Sequence, residues 1–167
     1  MKKVVFSLLV KDTAGVLSRI AGLFARRGYS IDTINAGVTE DPQYTRITVV
    51  ARGDDNILEQ IRQQITKLED VKKVIVLNGD DSVCRELLLA KVRANKKEKQ
   101  EIIAMADVFR AKIVDVAKDS IMVELTGNLN KIDAFIELLY DFDVIEIVRT
   151  GLTGLSRGVV GIKELMR

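Results

Sequence analysis

The stretch Asp12-Thr13-Ala14-Gly15-Val16-Leu17 has the residue types best suited to a chemical task. It joins a β-rich apolar run to a segment of helical period. Gly15 removes side-chain bulk where the helix begins, so the N–H groups of Gly15, Val16 and Leu17 can face an anion such as a carboxylate. Asp12, just upstream, offers an oxygen acceptor or a counter-charge for an ammonium group. Together they can read an α-amino acid at both ends. The same residues also describe a plain helix start, with Asp12 or Thr13 as N-cap and Gly15 in a tight turn. The residues alone leave both readings open.

The remaining composition narrows the chemistry. The 167 residues include no histidine, which excludes a Ser-His-Asp triad, an imidazole base and a His-ligated metal. The single Cys84 permits neither an internal disulfide nor a Cys-based zinc site, and its apolar-alternating surroundings mark a buried structural thiol. No G-x-x-x-x-G-K-[ST] or G-x-G-x-x-G spacing occurs. Gly151-Leu152-Thr153-Gly154-Leu155-Ser156-Arg157-Gly158 resembles a phosphate loop only in glycine content. Lys96, Lys97 and Lys99 alternate with Glu98 and Glu101 and read as a solvated turn. Lys and Arg total 26 against 24 Asp and Glu, a net charge of +2, so no basic excess calls for nucleic acid or an anionic membrane. The apolar start is short and lacks a cleavage site, and no apolar stretch approaches the ~20 residues of a membrane span. A cytoplasmic protein is expected, and an enzyme would have to rely on carboxylates, lysines, tyrosines or a cofactor.

The elements that must position the Asp12–Leu17 loop follow from hydrophobic period. Lys3–Val10 is an apolar strand, and Val16, Ile20, Leu23 and Phe24 share a helical face that Gly28 stops. Tyr29–Thr39 and Tyr44–Ala51 are strand-like around a turn at Glu40–Gln43. Asp54 or Asp55 can cap a helix striped by Ile57 or Leu58, Ile61, Ile65 and Leu68, and Val71–Leu77 closes the unit. The order is βαββαβ. After the polar break Asn78–Asp81 the order repeats: Cys84–Val92, a charged turn Asn95–Lys99, a stripe of Ile102, Ala106 and Phe109, then strands near Ala111–Ala117 and Ile121–Leu125. A helix over Asn130–Asp141 and the strand Val144–Val148 complete it. The halves share pattern, with little residue identity. The fold class is α+β, with antiparallel sheets that carry helices on one face only. The other face of each is left to be covered, which predicts self-association or docking on a larger partner.

K-D-T-A-G-V-L-S-R-I, from Lys11, resembles the opening of an ACT domain, a ferredoxin-like regulatory module. A-G-L-F-A-R-R-G-Y-S-I-D-T-I-N (Ala21–Asn35) and T-R-I-T-V-V (Thr45–Val50) extend the likeness. So do R-E-L-L-L-A-K-V (Arg85–Val92), F-R-A-K-I-V-D-V (Phe109–Val116) and R-T-G-L-T-G-L-S-R-G (Arg149–Gly158). Over essentially its whole length the chain resembles the small regulatory subunits of acetolactate synthase (acetohydroxyacid synthase).

The resemblance implies two consecutive ferredoxin-like modules. Residues 1–78 are expected to form an effector-binding ACT domain. Residues 79–167 are expected to form a second module plus a flexible tail, serving association with and activation of the catalytic subunit. It implies a non-catalytic subunit that stimulates a large thiamine-diphosphate-dependent subunit and makes it sensitive to valine in valine and isoleucine synthesis. Thiamine diphosphate, magnesium and FAD would belong to that partner. Homodimerisation through ACT domains is implied, with Asp12, Gly15, Val16 and Leu17 matching the effector loop. Ser30 and Ile31 match the positions that complete the pocket from the neighbouring ACT domain. Some family members carry asparagine where this chain has Asp12 and Ser30. A free-standing amino-acid sensor acting on another partner is the competing class; it would need a helix-turn-helix or a basic face, and the sequence offers neither.

Overall fold

The computed structural model describes residues 1–166. The first module contains β1 (Lys2–Lys11), α1 (Val16–Arg27), β2 (Ser30–Val38), β3 (Tyr44–Gly53), α2 (Asp55–Thr66) and β4 (Val71–Leu77). The second contains β5 (Ser82–Arg93), α3 (Lys96–Phe109), β6 (Lys112–Val116), β7 (Ser120–Gly127), α4 (Leu129–Leu139) and β8 (Asp143–Arg149). A short strand, β9 (Thr153–Ser156), and a 3-10 turn at Glu164–Met166 follow. The sheets have the orders β2-β3-β1-β4 and β6-β7-β5-β8, with every recorded pair antiparallel. This is the double βαββαβ arrangement expected.

The likeness of the modules extends to their irregularities. Register shifts fall at Leu9/Val10 and Ile31/Thr33 in the first sheet, and at Lys91/Val92 and Ile113/Asp115 in the second. These sites keep one spacing along the chain, so β1 through β2 matches β5 through β6 residue for residue. A left-handed residue ends the first helix of each: Gly28 at φ 66° and Arg110 at φ 56°.

Alternation puts Phe6, Leu8 and Val10 of β1 with Ile47, Val49 and Ala51 of β3 on the helix side, where they meet Ile20, Phe24, Ile61 and Ile65. The second core gathers Leu88, Ala90 and Val92 with Val123, Leu125, Ile132 and Phe135. Beneath its α4, the fully buried Glu86 accepts two bonds from Arg149, Nε at 2.7 Å and Nη2 at 2.9 Å.

Two sequence expectations change. Asn95–Lys99 is not a turn but the start of α3. Asn95 accepts from the Glu98 N–H while the Glu98 carboxylate accepts from the Asn95 N–H, satisfying two helix-end donors reciprocally. Residues 151–166 are also not a free tail of the second module. The chain packs as one unit of Met1–Cys84 together with the segment from Gly151 onward, and another of Arg85–Thr150.

The reason lies on the open face of the first sheet, where Ser7, Leu9, Thr48 and Val50 are buried. The returning segment crosses that face. Asn35 Nδ2 donates to the Leu152 carbonyl at 2.6 Å, and Leu152 and Ile162 are buried. Gly151, at φ 79°, lies so close to Thr33 that a Cβ there would stand 2.6 Å from the threonine Cβ. The face expected to need a partner is thus strapped by the chain itself. Cys84, read as buried, is half-buried and packs beside Gly154.

Candidate functional site

The Asp12–Leu17 loop leaves the end of β1 and enters α1 through Gly15, at φ 80° and ψ 3°. That left-handed conformation suits glycine and strains residues with a side chain. Gly15 does lie in the tight turn expected, closed by the Val16 N–H on the Thr13 carbonyl. Among the described residues, however, neither Asp12 nor Thr13 caps the helix: Gly15 is the N-cap residue and α1 has no side-chain cap. By contrast Asp54, Asn95 and Asn128 cap α2, α3 and α4 through the N–H groups of Ile57, Glu98 and Lys131. The first turn of α1 has no acidic residue, and the Leu17 and Ser18 N–H groups have no acceptor among the described residues. An uncapped helix start of this kind leaves positive partial charge for an incoming carboxylate.

The loop is held by residues that sequence reasoning did not single out. Arg19 Nε donates to Asp70 at 2.8 Å, its Nη2 to Thr13 Oγ1 at 3.2 Å and its Nη1 to the Ala14 carbonyl at 3.3 Å. Thr13 in turn donates to Asp70 at 3.1 Å. The Arg19 guanidinium, with the Thr13 hydroxyl assisting, holds the Asp70 carboxyl below its ordinary value. Asp12 is exposed; its N–H donates to the Gln43 carbonyl at 2.9 Å and its Oδ1 accepts from Thr45 at 3.2 Å. Oδ2 stays available for an ammonium group. No local signal foretells the Arg19–Asp70 contact, because its partners are far apart in sequence.

Val16 does not serve as expected: its side chain is buried in the core and its N–H donates to the Thr13 carbonyl at 3.3 Å, whereas Leu17 is 45% exposed. Ser30 and Ile31 do not join this loop within one chain. β2 runs parallel to β1, and Ser30 pairs with Arg52, itself opposite Lys3. The loop lies beyond the Lys11–Tyr44 pair at the other end, roughly 30 Å away at ~3.3 Å per residue. Ser30 is exposed and Ile31 half-buried, beside Asp32, which ion-pairs with Lys3 and Arg52, each at 2.9 Å.

The second module has no matching loop. At the spacing fixed by the register shifts, Ala94 stands where the first module has Asp12, and Lys97 where it has Gly15. Its helix start is closed by the Asn95–Glu98 box. Among the described residues no group of three His, Cys, Asp or Glu side chains is placed to hold a metal ion. No described helix is long and apolar enough to cross a membrane.

Comparison with known proteins agrees with this division. Residues 6–73 match the family model of the AHAS small subunit-like ACT domain, and residues 85–158 that of the small subunit of acetolactate synthase. The chain is 50% identical over 155 residues to a protein of Methanothermobacter thermautotrophicus named probable acetolactate synthase small subunit, covering 92% of each. It is 44% identical over 156 residues to the acetolactate synthase small subunit of Mycobacterium leprae, covering 93% of this chain and 92% of that protein. The crystal structure of the Thermotoga maritima acetolactate synthase small subunit superposes with a TM-score of 0.87 at 40% identity, covering 96% of this chain and all of that one. With an ACT module ahead of the family's own second module, and likeness along nearly its whole length, the chain belongs to the family of acetolactate synthase small subunits.

Proposed function

We propose that this chain is the regulatory subunit of an acetolactate synthase, raising the activity of a separate catalytic subunit in the cytoplasm and transmitting feedback inhibition by valine. The carrying observation is the division of the site. The uncapped α1 start with Asp12 and the Ser30–Ile31 strand entry lie at opposite ends of one sheet whose β2 edge is unpaired among the described residues. Two copies joined antiparallel along β2 would bring the Ser30 end of one beside the Asp12 end of the other. The reading is therefore a homodimer with two equivalent effector sites, each shared between chains.

Valine suits such a site. Its carboxylate would sit on the Leu17 and Ser18 N–H groups, its ammonium on Asp12, and its isopropyl group against the partner's strand entry. Burying that group contributes roughly 1.5–3 kcal/mol, and the charge-assisted bonds at each end a comparable amount. Micromolar affinity needs about 8 kcal/mol, which the ligand-efficiency ceiling permits for so small a molecule. Inhibition then requires that the bound arrangement disfavour the active catalytic subunit, a coupling of typically ~1–3 kcal/mol. The second module would contribute to activation. Thiamine diphosphate, magnesium and FAD, with the carbon–carbon chemistry, would belong to the partner.

The test is acetolactate formation by the catalytic subunit with and without this chain, across a valine titration. Stimulation that valine reverses is the expected result; no stimulation overturns the reading. Gly15→Asp and Ser30→Arg should each abolish valine binding and inhibition while stimulation persists. Mixing the two variants should restore one intact site per mixed dimer. If mixing restores nothing while each variant alone still forms the dimer, the shared site is wrong.

A further inference from the structure

Arg46 is placed by strand alternation on the open face of the first sheet, together with Thr48 and Val50. It is half-buried, and its Nη1 donates to the fully buried Ser7 hydroxyl at 2.7 Å. Among the described residues no carboxylate comes within ion-pair distance of it. Glu40 is close enough to act on its charge, but the Glu40 carboxylate lies 3.4 Å from Lys163. Burial consequently pushes the Arg46 guanidinium below its ordinary value. A partly desolvated cation without an anion is costly, and charges in such positions are ordinarily paired.

The same arginine lines a cavity of about 180 Å³ roofed by the returning segment. Ile75 of β4 lies on the sheet side, and Leu155, Val160 and Ile162 come from the segment itself. The volume equals roughly six water-sized groups at ~30 Å³ each. Ser156, Gly158 and Gly161 also line the cavity. A single cation beside partly aliphatic walls does not supply the several charged donors or the helix start that a phosphate attracts. It suits a single carboxylate with a short hydrocarbon body, because a guanidinium binds a carboxylate through paired N–H groups.

We propose that this cleft is a second small-molecule site, distinct from the Asp12–Gly15 loop, which takes a short aliphatic monocarboxylate without an amino group. The carboxylate sits on Arg46 and the hydrocarbon part between Ile75 and Ile162. Among the described residues no carboxylate lines the cleft to receive an amino group, and the nearby Asp41 and Glu40 face Lys163 at 2.7 Å and 3.4 Å. Because the roof is the returning segment, an occupied cleft holds that segment more firmly on the sheet.

The experiment titrates isovalerate into the full-length isotope-labelled chain and follows backbone amide shifts. Saturable shifts at Gly158–Ile162, with affinity of about millimolar order, are expected. Isovaleramide, which has the same body without the charge, should produce none. Arg46→Met should weaken isovalerate binding at least about tenfold and should leave the amides of Asp12–Leu17 unmoved. If Arg46→Met fails to fold, Val160→Trp fills the cavity while keeping the arginine and should block binding equally. Absence of saturable shifts overturns the proposal. So does binding unaffected by either variant, or shifts confined to Asp12–Leu17 and lost in Gly15→Asp.

Discussion

Lys163 reaches back to Asp41, its ammonium 2.7 Å from the carboxylate and 5.5 Å from the centre of the Tyr44 ring. The contact fastens the end of the returning segment to the β2–β3 turn. That turn also supports the effector loop, through the Gln43 carbonyl and Thr45 hydroxyl that meet Asp12. One turn therefore touches both the loop and the strap.

The clamp should respond to pH in a definite direction. The Lys163 bond, followed by the Gln43 N–H, holds the Asp41 carboxyl below its ordinary value. A group lowered on folding stabilises above its unfolded value and loses that contribution as pH falls through its folded value. Lys163 is raised, chiefly by Asp41, so its side of the clamp is complete below the ordinary lysine value and lost only in strong alkali. Amide protection factors of residues 151–166 should thus stay level between about pH 7 and pH 5 and drop only below about pH 4. Lys163→Met should lower protection several-fold at neutral pH and remove the acid step. An acid step of full size in that variant would contradict the assignment.

The second module should be sensitive to the loss of one member of its buried pair. Glu86 is 2% exposed, and Arg149 is its bidentate partner. Arg149→Met strands a buried carboxylate, and a loss of roughly 3 kcal/mol is expected, the low end of the range because Arg149 is one-third exposed. Replacing both, with Glu86→Leu added, should recover much of the loss. Urea unfolding of the full chain measures each; a double variant as unstable as the single one would refute the account.

Thr48 offers a stabilising change. Its hydroxyl is fully buried on the open face of the first sheet and has no hydrogen-bond partner among the described residues. Thr48→Val keeps the shape and removes the unsatisfied group, so a gain of about 1 kcal/mol is expected. A lower melting temperature would show that the hydroxyl is satisfied in solution.

Local pattern reveals those parts of the fold whose cause is local. The stripe Val16, Ile20, Leu23 and Phe24 is the buried face of α1, and Gly28 is its left-handed stop. Asp54 caps α2 as its position suggests. Asn95 shows a signal passed over: asparagine with glutamate three residues on marks a helix start, but the surrounding lysines suggest a turn. The Asp12–Gly15 loop is legible because a glycine at a strand-to-helix junction has a local meaning. Its fastening by Arg19 and Asp70 is not, nor is the return of Leu152 to Asn35, because such contacts depend on the completed sheet. Ser30 is a similar case. Its distance from Asp12 follows only from the register of three strands.

The interposition of Arg85–Thr150 between the two stretches of the first unit also sets an order in time. Residues 151–166 leave the ribosome only after the whole second unit has been made. Domains generally fold as they emerge, so the second unit can close while the first, although mostly synthesised earlier, still lacks its strap. The module made first is finished last. During that interval the nascent chain displays a sheet face, with Leu9 and Val50 on it, that the mature protein covers.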